Sequence, residues 1–131
     1  MNTNLHKAPI RSDLFDGTLN GYQDAAQTTA IYPGKGSFWG LNYVALKMNG
    51  EAGEIAEKIG KLMRDKGVQP FDQIPVEAIK DLVKECGDVL WYIAAAAKEL
   101  GFSLEEVAAL NIAKLKDRQE RNKLSGSGDN R

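Results

Sequence analysis

Apolar residues recur at helical spacing along most of the chain. Between residues 40 and 65, Leu41, Val44, Met48, Ala52, Ile55, Ile59 and Leu62 follow one another in steps of three and four, the mark of an amphipathic helix. A second stripe, Ile79, Leu82, Val83, Cys86, Leu90, Ile93 and Ala97, predicts another helix, with Pro75 in its first turn. Gly101 ends that helix. Ser103 then caps a further one running to about Asn122, and Glu106, three residues on, completes a capping box. A shorter helix over residues 18–31, capped by Thr18, precedes these and is broken by Tyr32-Pro33-Gly34-Lys35-Gly36-Ser37. Residues 66–74, with Gly67 and Pro70, read as a loop. No run alternates with a period of two. The pattern predicts an all-α fold, a four-helix bundle with short loops. Its domain spans residues 18–123, between a loosely ordered arm over 1–17 and a Gly/Ser-rich tail over 124–131.

Composition narrows the class. A chain of 131 residues, 43% apolar, suits one domain with a modest core. Lys plus Arg number 17 and Asp plus Glu 18, a net charge of −1 that argues against a nucleic-acid partner. No run is long enough to span a membrane, and the first residues lack the apolar core of a signal peptide, so no membrane partner is expected. One cysteine cannot form an internal disulfide, which points to a reducing cytoplasm. Cys86 falls on the apolar stripe without a histidine partner and reads as a core thiol. Four short helices leave apolar surface to cover, so an oligomer is expected, with a seam near Trp91 and residues 94–97.

Two tetrapeptides carry candidate chemistry: Glu51-Ala-Gly-Glu54 and Glu85-Cys-Gly-Asp88. Positions i and i+3 lie on one side of a helix. If the two stripes pack together, four carboxylates converge along one edge. Such a cluster repels itself unless a cation neutralises it, and hard dications take oxygen ligands. The single histidine, His6, lies in the arm, so a zinc site built on histidine and cysteine is excluded and Mg²⁺ or Mn²⁺ is indicated. Gly53 and Gly87, costly inside helices, suggest close helix approach beside the acids. The alternative is that these are ordinary solvated helix faces. Asn111, Lys114, Arg118 and Arg121 share a face of the last helix; they suit triphosphate oxygens, or simply favour a helix C-terminus. Tyr92 falls one turn after Asp88 and Trp39 opens the second long helix; both could stack on a base, or belong to the core. The fragment Gly34-Lys35-Gly36-Ser37 lacks the spacing and preceding strand of a phosphate loop.

Glu51-Ala-Gly-Glu54, Glu85-Cys-Gly-Asp88-Val-Leu-Trp-Tyr92 and Asn111-Ile-Ala-Lys114-Leu-Lys-Asp-Arg118 together resemble the MazG-like nucleoside triphosphate pyrophosphohydrolases. The ending, from Arg118 to Arg131, is similar to short single-domain members, many of them phage-encoded. The resemblance covers most of the chain. It implies that Glu51, Glu54, Glu85 and Asp88 ligate metal, that Lys114 and Arg118 hold phosphates, and that the protein works as a homodimer or homotetramer. Gly50 stands where the family often has a second glutamate. The expected reaction is hydrolysis of a (d)NTP, with guanine as the first-choice base, to (d)NMP and pyrophosphate. Glu54 is the first choice to take the proton from water and Glu57 the second, while Lys114 and Arg118 stabilise phosphate charge. The tail, through its glycines and Arg131, is expected to fold over the nucleotide. A non-catalytic helical module that binds nucleotide or protein is the alternative.

Overall fold

The computed structural model describes residue 11, residues 13–67 and residues 73–128. Among them are four helices and no strand: α1 (Leu19–Gln27), α2 (Phe38–Lys66), α3 (Val76–Glu99) and α4 (Leu104–Glu120). The signals read from the sequence act where expected at most helix ends. Thr18 accepts from the Gly21 amide, Ser37 from Gly40, and Ser103 with Glu106 forms a complete capping box. Pro75 stands at the N-cap of α3, just outside its first turn. Gly67 ends α2 in the left-handed region at φ 57°, where a side chain is disfavoured.

The first helix stops four residues earlier than its periodicity predicts. Thr28 Oγ1 donates to the Ala25 carbonyl and Thr29 Oγ1 to Ala26, so side chains satisfy the carbonyls that a further turn would have used. The segment that follows returns Ala30 and Tyr32 to the core. Its tight turn rests on two glycines, since a Cβ on Gly40 would collide with the Gly34 carbonyl and Gly34 itself has φ +71°. Glu99, at the far end of α3, holds this turn by accepting from Tyr32 Oη at 2.6 Å and from the Gly36 amide at 3.0 Å. Burial and then the bond to Glu99 push the Tyr32 phenol well above its ordinary 10.0.

The two long helices form an antiparallel hairpin. Val44 shares a cluster with Ala95, while Lys58 meets Glu85 at the other end. Near the first end lies nearly all of the core: Ala30, Tyr32, Val44 and Ala95 in one cluster, Ala94, Ala97 and Leu104 in another. There α1 and α4 close over the end of α3. Gln23 of α1 fastens this corner, donating to the carbonyls of Ala94 and Phe102 and accepting from the Leu104 amide. Among the described residues, the other half of the hairpin is only two helices thick. Among the described residues from 45 to 93, Glu85 alone is buried, at 9% exposed.

Burial within the chain overturns three expectations. Cys86 is exposed, together with Val83, Leu90 and Ile93, because α3 turns that part of its apolar stripe outward while Ile79 and Leu82 are half-buried. Gly53 and Gly87 mark no close approach: a Cβ on either would meet nothing within 4 Å. Residues 94–97 offer no free seam, since Ala94, Ala95 and Ala97 are already covered within the chain, and the half-buried Trp91 donates to Thr29.

Candidate functional site

Three of the four predicted acids meet. One carboxylate oxygen from each of Glu51, Glu54 and Glu85 lies within 4.8 Å of the others. The hairpin's antiparallel register causes this, since it sets Glu51 and Glu54 of α2 opposite Glu85 of α3. Asp88 is not part of that group. It lies a turn further along α3, exposed, near enough to Tyr22 and Tyr92 that its charge bears on both phenols. Mg²⁺ binds oxygens at about 2.1 Å, so opposite ligands stand about 4.2 Å apart. The three carboxylates are already close to such a spacing, and an all-oxygen donor set suits a hard dication.

Two lysines bracket the cluster. Lys47, one turn before Glu51, lies 3.7 Å from its carboxylate. Lys58, one turn after Glu54, reaches across the hairpin to Glu85, with Nζ 2.5 Å from Oε1. That bond raises the Lys58 ammonium above its ordinary pKa, and the charges of Glu85, Asp81 and Glu54 add to the effect. The Lys47–Glu51 pair was legible as an i,i+4 spacing. The Lys58–Glu85 pair, 27 residues apart, had no local signal. Tyr92 borders the cluster, half-buried, with its ring 4.9 Å from that of Trp91 and its phenol raised chiefly by burial. Glu57 is exposed, outside the cluster, and pairs with Lys61 at 2.8 Å.

The basic stripe stands elsewhere. Asn111 and Lys114 line a groove with Ala97, Leu100, Phe102, Val107 and Leu110. Ala97 is twelve residues beyond Glu85, about 18 Å along α3. Arg118 is buried, at 5% exposed, and donates to the Gly128 carbonyl at 3.5 Å, so the tail folds back onto α4. Arg121 pairs with Asp117 at 2.7 Å. Trp39 is exposed and leans on Gly34, away from the buried clusters. Arg131 lies outside the described residues. The Gly34–Ser37 fragment is no phosphate loop, because Glu99 takes the Gly36 amide and Ser37 caps α2.

Residues 42–122 match the family described as the MazG nucleotide pyrophosphohydrolase domain. The chain is also 49% identical over 114 residues to the gene 37 protein of Mycobacterium phage L5, an alignment covering 84% of this chain and 96% of that protein. No solved structure matches significantly. No described helix is long and apolar enough to cross a membrane.

Proposed function

Because this chain belongs to the MazG nucleotide pyrophosphohydrolase family, in the size class of its phage relative, we propose that it hydrolyses a (d)NTP to (d)NMP and pyrophosphate with Mg²⁺ or Mn²⁺. The observation that carries the reading is the convergence of Glu51, Glu54 and Glu85. These three would hold the metal, and a side-chain rotation would add Asp88. The bound cation would supply an activated water and neutralise triphosphate charge.

The chain's own residues do the rest. Glu54, the exposed member of the cluster, would take the water's proton. Tyr92, beside Glu51 and Asp88, offers a ring against the sugar or base, while Trp39, twelve residues before Glu51 on α2, would serve as a second aromatic surface only from a neighbouring subunit. Lys114 and Arg118 would stabilise charge on the phosphates, with Asn111 and Arg121 on the same helix face. Because the groove at Lys114 lies far along α3 from Glu85, α4 would serve these phosphates by moving or from a neighbouring subunit of a homodimer or homotetramer. Arg118 already holds the tail at Gly128, which supports a tail, Arg131 included, that closes over bound nucleotide. A purine, guanine first, is the preferred base.

The test is a panel of the eight common NTPs and dNTPs with Mg²⁺ or Mn²⁺, assayed for both products. Pyrophosphate and monophosphate should appear together. Glu51→Gln, Glu54→Gln, Glu85→Gln and Asp88→Asn should each lose most turnover while keeping the helical spectrum. Accumulating nucleoside diphosphate, or two of these variants with near-normal turnover, would refute the proposal. Nucleotide binding without turnover would favour the non-catalytic module.

A further inference from the structure

Glu85 is the one buried residue in the described part of the thin half of the hairpin, and it is a carboxylate. A buried carboxylate left without a partner is costly. The chain meets that cost with Lys58, whose side chain is 37% exposed against 11% for Glu85, so the ammonium covers the acid from the solvent side. A cation entering the Glu51, Glu54 and Glu85 cluster would approach through the same opening. An ammonium and a dication cannot share one carboxylate at close range without strong repulsion.

We propose that Lys58 is the resident counter-ion of the acid cluster, an ammonium that a divalent cation must displace from Glu85 in order to bind. This inference rests on the metal reading above. Lys58 is distinguished from its neighbours by geometry. Lys47 sits farther from its acid, at 3.7 Å, and Lys61 pairs with Glu57, which stands outside the cluster. The exchange has two consequences. In metal-free protein it helps join α2 and α3 where, among the described residues, apolar side chains are at most half-buried. It also weakens metal binding by the free energy of the pair that must first open.

Calorimetric titration of the full chain with Mn²⁺, without nucleotide, tests this. Lys58→Met should bind Mn²⁺ about tenfold more tightly than the wild type, whereas Lys58→Arg, which keeps the cation, should not gain. Lys61→Met removes the same charge one turn away and should change affinity less than about twofold. In EDTA, Lys58→Met should melt below the wild type, and saturating Mn²⁺ should erase the difference. If Lys58→Met does not fold, Lys58→Gln, which keeps a donor for Glu85 without the charge, carries the same expectations. Equal gains from Lys58→Met and Lys61→Met would show a general field effect and overturn the proposal. So would unchanged affinity in Lys58→Met when the wild type binds. If neither protein binds Mn²⁺, the metal reading fails and takes this inference with it.

Discussion

Gln23 is buried and uses both ends of its amide, which makes it a corner fastener rather than a surface residue turned inward. Its oxygen takes the Leu104 amide, one of the donors that the first turn of α4 cannot satisfy internally. Its nitrogen reaches Ala94 and Phe102, so one side chain joins three elements. Gln23→Ala should therefore cost about 2–3 kcal/mol, because the partners stay buried when the amide is removed. Urea unfolding measures this directly, and a loss under about 1 kcal/mol would mean that water replaces the amide. Gln23 was not legible in the sequence, where a glutamine on a short helix looks like any exposed polar residue. The acid pairs were legible because their spacing is local. Lys58 and Glu99 were not, since the partners they hold lie 27 and more than 60 residues away.

At the level of the element, the glycines of α2 are informative. Gly50, Gly53 and Gly60 are exposed, and a Cβ on any of them would meet open space. Their cost to helix stability is therefore not offset by packing within the chain. Gly60→Ala should raise stability by about 0.5–1 kcal/mol, through helix propensity and a less mobile unfolded chain. The melting temperature should rise by roughly 2–5 °C, with no effect on turnover, because Gly60 lies beyond the acid cluster. A fall in melting temperature would show that Gly60 touches something outside its own chain. Periodicity located both long helices to within two residues at each end that could be compared, because caps and spacing act locally. It could not say which side of α3 faces α2. The helix is apolar on more than one side, and only packing sorts Leu82, half-buried, from Val83 and Cys86, exposed.

Taken whole, the molecule is unevenly built. Among the described residues its core lies at one end, and the half that carries the acids is a two-helix layer exposing Ile59, Met63 and Val83. Around the groove at Lys114, Leu100, Phe102 and Leu110 are exposed as well. Apolar surface on this scale is expected to be covered by further copies of the chain. Sedimentation equilibrium should give a dimer or tetramer, and Leu110→Glu or Val83→Glu should lower the mass on whichever face is used. A wild type that stays monomeric at micromolar concentration would show those faces to be free. The sequence by itself determined the four helices, their caps, the two acidic pairs and the basic stripe, because each depends on spacing within one turn or a few. The tertiary structure alone decided that three acids meet while Asp88 stands a turn away, that Lys58 covers Glu85, and that Arg118 is buried and bonded to Gly128. Those outcomes depend on how α2 and α3 are registered and where α4 is anchored. That register follows from the summed packing of Val44, Ala95 and their neighbours, a global quantity that no local spacing encodes.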